Sequence, residues 1–195
     1  MELDLRGDVP DGTYRTVTSA VVPRPIGWIS TRTSEGVDNL APYSYFQAVS
    51  SRPPVVMFSA GRYEGRRKDS PTNAIESGEF VHNLVTEGVH EAMDETSASL
   101  PPDESEFDAA GIERASSVAV DAPRVADAVL SFECELYDSV DVYDNTVVLG
   151  EVVYVHADES ILTDGKLDSR KIDAIGRLGG PYYTAIDVTQ FRRQY

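Results

Sequence analysis

Arg66-Arg67-Lys68-Asp69-Ser70-Pro71-Thr72-Asn73 gathers cations directly before a segment that reads as a helix start. The first amides of a helix have no partner within it and carry the positive end of its dipole. With the hydroxyls of Ser70 and Thr72 alongside, this is a recipe for holding a phosphate. The same residues also describe a basic loop that neutralises nearby acids, with Asp69 or Ser70 as a cap. A second cluster, Asn39-Leu40-Ala41-Pro42-Tyr43-Ser44-Tyr45-Phe46-Gln47-Ala48-Val49-Ser50-Ser51, mixes amide, hydroxyl and aromatic groups and is neither cleanly strand nor helix. It suits a pocket that meets a flat polar ring, and equally a loop that lines a core.

Other chemistries are poorly supplied. His82 and His156 sit in strand-like runs, and His90 is followed four positions later by Asp94, so the two-histidine helix of a zinc protease is missing. There is no Gly-x-Ser-x-Gly elbow, and Gly61 to Lys68 lacks the spacing of a phosphate loop. Gly176-Arg177-Leu178-Gly179-Gly180 is no dinucleotide fingerprint, so the chain carries no nicotinamide domain of its own. Cys134 is the single cysteine and lies between Glu133 and Glu135, which disfavours its thiolate and assigns it to packing.

The elements that must position these clusters follow from pattern. Residues 1–13 read as a polar lead-in arm with a turn at Pro10, Asp11 and Gly12. Ser19 to Val22 and Ile26 to Thr31 read as one strand kinked at Pro23-Arg24-Pro25, Val55 to Ala60 as an interior strand, and Phe80 to Val85 as another. Ser70 to Gly78 has a cap, a first-turn proline and a terminal glycine, which predicts a short helix. Residues 86–113, rich in acids and without lysine or arginine, predict a solvated helical insertion with helical spacing at Val89, Ala92 and Met93. Val129 to Tyr137, Thr146 to Ala157 and Tyr182 to Val188 read as strands. The order predicts a single, mainly β domain over 1–195, an antiparallel barrel with peripheral helices.

Composition excludes several partners. The 195 residues hold 33 acids against 17 bases, a net charge of −16, and such a surface repels nucleic-acid phosphate and anionic lipid. No apolar run approaches the roughly 18 residues of a membrane span. The first residues lack a basic segment followed by an apolar one, so the expectation is a cytoplasmic protein.

Arg24-Pro25-Ile26-Gly27-Trp28-Ile29-Ser30-Thr31, Asn39 to Phe46, Ser50-Ser51-Arg52-Pro53-Pro54 and Lys68 to Asn73 follow one another in a telling order. With Ser105-Glu106-Phe107, Phe132-Glu133-Cys134, Leu149 to Val153 and Gly176 to Gly180 before Tyr182, they closely resemble the flavin reductase-like family of FMN-binding split-barrel proteins. The resemblance runs from about Tyr14 to Tyr183. It implies a six-stranded antiparallel split barrel, a homodimer, FMN near the subunit interface, and NAD(P)H delivering hydride to flavin N5. The reduced flavin would then serve free flavin, a ferric chelate or another acceptor; the alternative is a non-enzymatic FMN electron carrier reduced by a partner protein.

By the same resemblance, Ser30, Thr31 and Asn39, Leu40, Ala41, Pro42, Tyr43 and Ser44 border the isoalloxazine. Ser50 and Ser51 lie near the ribityl chain or ring, and Ser59, Arg67, Lys68, Asp69 and Ser70 hold the phosphate. Arg177, the catalytic candidate, and Tyr182 approach the flavin, Arg177 stabilising its anionic reduced form. No residue is assigned to a metal.

Only Lys68, Lys166 and Lys171 are lysines, and Asp outnumbers Glu. An acidic, lysine-poor surface suits a halophile's salt-rich interior, where screening blunts self-repulsion. Thermal unfolding followed from about 0.1 M to several molar KCl is expected to show a rising midpoint; an unmoved or lowered midpoint contradicts the assignment.

Overall fold

The computed structural model describes residues 2–6 and 12–190. The turn expected at Pro10 and Asp11 lies outside them. Helix α1 (Thr13–Ala20) leads into strands β1 (Gly27–Arg32), β2 (Asp38–Tyr43), β3 (Phe46–Ser51) and β4 (Pro54–Gly61). Helix α2 (Asp69–Ser77) and β5 (Glu79–Leu84) follow, then two short helices, α3 (His90–Glu95) and α4 (Glu106–Ala109), in the acidic insertion. The two-residue strands β6 (Arg114–Ala115) and β7 (Arg124–Val125) precede the long hairpin of β8 (Leu130–Val142) and β9 (Asn145–Ala157). Strands β10 (Leu162–Thr163), β11 (Lys166–Leu167), β12 (Ile175–Arg177) and β13 (Tyr183–Ala185) complete the chain.

The main sheet has seven strands in the order β2-β1-β5-β8-β9-β4-β3, every neighbour antiparallel. Strands β2 and β3 occupy its opposite edges, yet only Ser44 and Tyr45 separate them in sequence. Two residues cannot bridge a flat seven-stranded sheet, so the sheet must curl until its edges nearly meet, which is a split barrel. The strand count is seven where six were expected.

Strand alternation sorts the side chains onto the two faces of the sheet, each with a large core, and Val81, Val120 and Ala122 form a smaller third cluster. Inside the barrel, Ile29, Tyr43, Phe58, Phe80, Cys134 and Val148 pack together. Phe80 and Phe58 meet edge to face with ring centres 5.3 Å apart, and each buried ring contributes about 1.5–3 kcal/mol. Gly150 is required here, because a Cβ would stand 2.4 Å from the Phe80 ring. His82 is stacked on Phe46 with ring centres 4.2 Å apart, and burial lowers its pKa to about 4, so it stays neutral. On the outer face, Trp28, Leu40, Val89, Met93 and Phe107 form the second core, so the acidic insertion is packed through its apolar face as well as solvated on its other side. The Trp28 indole N–H donates to Thr96 Oγ1 at 2.9 Å.

Several local expectations are corrected. Ser19 and Ala20 end helix α1 instead of opening a strand, because the Arg24 guanidinium donates to the carbonyls of Thr18 and Val21 near the helix C-terminus. The stretch from Asn39 to Ser51 is two clean strands, its Pro42 tolerated because β2 is an edge. The last strand covers only Tyr183–Ala185. Val55 to Ala60 is the interior strand expected, and the helix expected from Ser70 runs from Asp69 to Ser77 with Gly78 left-handed beyond it.

Glu133 fixes the outer wall. Its fully buried carboxylate accepts the amides of Val118 (2.8 Å), Ala119 (2.5 Å) and Val120 (3.2 Å) and lies 2.5 Å from His156 Nε2. Burial alone would raise its pKa, but His156 and the Ala119 and Val118 amides outweigh that and lower it. Such a group stabilises the fold above its ordinary pKa, and the contribution disappears as pH falls through the lowered value. Glu133→Gln is therefore expected to be less stable than wild type at neutral pH in urea titrations, with the difference shrinking below about pH 4. A pH-independent difference contradicts this role.

Candidate functional site

Lys68 enters α2 in an extended conformation with no side-chain cap, leaving the amides of Asp69 and Ser70 in the partnerless first turn. Pro71 has no amide to leave unpaired, and Thr72 spends both its amide (3.2 Å) and its hydroxyl (2.8 Å) on the Lys68 carbonyl. The cations divide. Arg67 donates to Asp141 at 2.9 Å and to Thr146 Oγ1 at 3.3 Å, and Arg62 reaches the same Asp141 at 3.1 Å. The Thr146 hydroxyl and Arg67 accordingly hold Asp141 below the usual carboxylate range. Arg66 has only Glu64, at 3.9 Å, and Lys68 makes no ion pair among the described residues.

A buried polar chain joins this helix to β2 and to the acidic insertion. Both carboxylate oxygens of Glu106 on α4 lie 3.0 Å from Asn39 Nδ2, and one accepts the Leu40 amide at 2.9 Å. That fixes the Asn39 amide, so its Oδ1 accepts the Ser70 hydroxyl at 2.6 Å and the Thr31 hydroxyl at 3.4 Å. Burial raises the Glu106 pKa against the pull of the Leu40 amide and Asn39.

These groups face a cavity of about 400 Å³, large enough for a cofactor-sized ligand. Strand β2 supplies Asn39, Ala41, Pro42 and Tyr43; the α2 entrance supplies Arg66, Arg67, Lys68, Asp69 and Ser70. The insertion closes the far side with Thr96 to Leu100, Pro102 and Glu106. A second cavity, about 340 Å³, adjoins it at Pro42 and Ser97.

The predicted residues thus separate. Asn39, Ala41, Pro42, Tyr43, Arg67, Lys68, Asp69 and Ser70 line the first cavity, while Ser44 and Arg177 line the second. Thr31 stands behind Asn39, fully buried. Leu40 points into the outer core, as alternation along β2 demands. Ser30 donates to the Pro123 carbonyl at 2.5 Å. Ser59 accepts the Asn145 amide at 3.1 Å and lines neither cavity. Ser50 and Ser51 are exposed on β3, and Tyr182 is 66% exposed, none of them at a cavity. Glu106, Thr96 and the insertion backbone were not among the predicted site residues, although Ser105-Glu106-Phe107 carries the one sequence signal that pointed there.

The flavin reductase like domain matches residues 19–171. The chain belongs to the flavin reductase-like family. A protein of Aquifex aeolicus without assigned function is 42% identical over 94% of each chain. Among solved structures, nitrilotriacetate monooxygenase component B from Bacillus cereus is 33% identical with a TM-score of 0.92, covering 99% of this chain and 98% of that one. The 2-nitrobenzoate 2-nitroreductase of Pseudomonas fluorescens is 30% identical with a TM-score of 0.88 over 100% and 98%. These relatives support a flavin-related oxidoreductase with a flavin cofactor.

Asn39→Ala leaves the buried Glu106 carboxylate and the Ser70 hydroxyl without their shared partner. It is expected to cost about 2–3 kcal/mol in chemical denaturation; a cost below about 0.5 kcal/mol contradicts the network.

Proposed function

We propose that the chain is an FMN-dependent oxidoreductase that takes hydride from NAD(P)H and passes electrons to a second acceptor. The observation that carries this reading is the uncapped α2 N-terminus, flanked by Lys68 and Arg66, opening onto a cavity framed by β2. These residues fit an FMN: an anion site at one end, and a polar and aromatic frame of Asn39, Ala41, Pro42 and Tyr43 at the other.

The geometry refines the roles. The Ser70 hydroxyl proton is committed to Asn39, and the Asp69 carboxylate repels an anion, so both residues serve the phosphate through their amides. Lys68 supplies the unpaired positive charge, Arg66 adds one held only loosely by Glu64 at 3.9 Å, and Arg67, paired with Asp141, anchors the loop that presents them. Strand β2 is a sheet edge, so half of its peptide groups are unused by the ladder; with the Leu40 amide held by Glu106 and Pro42 without one, the outward carbonyls are what can meet a flat polar ring. The insertion segment from Thr96 to Leu100 shields that ring from water. Bound there, FMN supplies the hydride and electron chemistry that this chain's own side chains do not. Arg177, in the wall of the adjoining second cavity, brings positive charge toward the ring position.

A homodimer is part of the same reading, supported by the exposed apolar side chains Val153 and Val155, close together on β9.

Titration of FMN and riboflavin separates the phosphate site from the ring site. Lys68→Ala is expected to weaken FMN about tenfold or more and leave riboflavin unchanged; equal weakening of both contradicts the assignment. Anaerobic mixing of the FMN-loaded protein with NADH and NADPH should bleach the bound flavin. No bleaching with either favours an electron carrier reduced by a partner protein.

A further inference from the structure

The second cavity is not needed to hold the phosphate or the polar frame, yet two guanidinium groups, Arg24 and Arg177, line it in a chain of net charge −16. Arg24 is only 6% exposed. Its Nη1 donates to the Thr18 and Val21 carbonyls, its Nη2 to the Leu178 carbonyl at 2.9 Å, and its Nε to Ser44 Oγ at 3.4 Å. Every acceptor is neutral. Arg177 donates to the Gly180 carbonyl at 2.9 Å, and among the described residues neither arginine makes an ion pair with a carboxylate. The nearby Asp94 is occupied by the Tyr183 hydroxyl at 2.5 Å.

Carbonyl dipoles orient a buried guanidinium but leave its charge uncancelled, and such a charge is costly until an anion meets it. A planar guanidinium fork matches a carboxylate in shape and in donor spacing. The rest of the wall mixes the hydroxyls of Thr18, Ser44 and Ser97 with aromatic and apolar side chains. The Tyr183 ring lies 4.5 Å beneath the Arg177 guanidinium, Tyr14 stands at the rim, and Ile26, Met93 and Pro42 complete the surface. A volume of about 340 Å³ limits the occupant to a small molecule.

We propose that this cavity binds a small aromatic carboxylate, its anionic group on Arg177 with the uncancelled charge of Arg24 beside it and its ring against Tyr183 and Tyr14, next to the flavin cavity. That the compound is a substrate of the oxidoreductase rests on the flavin reading; its binding does not. A phosphate presents the same charge, so the test includes one.

Calorimetric titration of the FMN-loaded protein with benzoate, benzamide and 5′-AMP tests the assignment. Benzoate is expected to bind about tenfold or more tighter than benzamide. At saturating FMN, Arg177→Gln should narrow that ratio to within about threefold while melting temperature stays as in wild type. Tyr14→Ala, at a position 75% exposed, should weaken both benzene probes alike. Equal affinity for benzoate and benzamide, benzoate affinity unchanged in both variants, or binding of 5′-AMP in place of benzoate overturns the proposal. A protein that takes up FMN but not benzoate overturns it and leaves the flavin reading standing; one that binds benzoate but not FMN supports it and removes the flavin reading.

Discussion

Asn39 is one amide with three dependants. Its Nδ2 is held by the Glu106 carboxylate of the insertion, and its Oδ1 takes the hydroxyls of Ser70 on α2 and Thr31 on β1. Because an amide has distinct donor and acceptor ends, the carboxylate on one side dictates what the other side can accept. The relative placement of β2, α2 and the acidic insertion is thereby tied to one side chain. The first cavity is the space those three elements leave between them.

The electrostatics are equally local. A chain with 33 acids against 17 bases concentrates Arg66, Arg67 and Lys68 at one helix entrance, then pairs Arg67 closely with Asp141 and Arg66 loosely with Glu64. Arg67, held to the β8–β9 hairpin, thus becomes a structural pin, while Lys68 makes no ion pair among the described residues. At the second cavity the pattern repeats with Arg24, pinned by carbonyls of α1 and of Leu178, and Arg177, more open beside Tyr183. In both places a buried or paired arginine holds the backbone and an adjacent cation faces the cavity.

Much of this was legible in the sequence because its signals are local. The α2 entrance reads from cations, a serine, a first-turn proline and a terminal glycine, all within one stretch, and the barrel reads from the order of strands without regular helix alternation. The segment from Asn39 to Ser51 did not read as strand because Pro42 and its mixed polarity disfavour one; pairing with β1 and β4 overrides that preference. Ser19 and Ala20 read as strand because the arginine that holds the end of α1 acts through its side chain, which composition does not show. Ser30 and Leu40 enter the expected site within contiguous motifs and Ser59 through the resemblance alone, whereas strand alternation and long-range partners turn their side chains elsewhere. Glu106 escaped for the same reason: its partner lies 67 residues away in sequence.

Amide resonances report most directly on where the nucleotide's charged end rests. In ¹H–¹⁵N spectra, added FMN should displace the Asp69 and Ser70 peaks most, and riboflavin should leave those two in place while still moving peaks along β2. Displacements centred on any other segment, with Asp69 and Ser70 unmoved by FMN, would contradict the account.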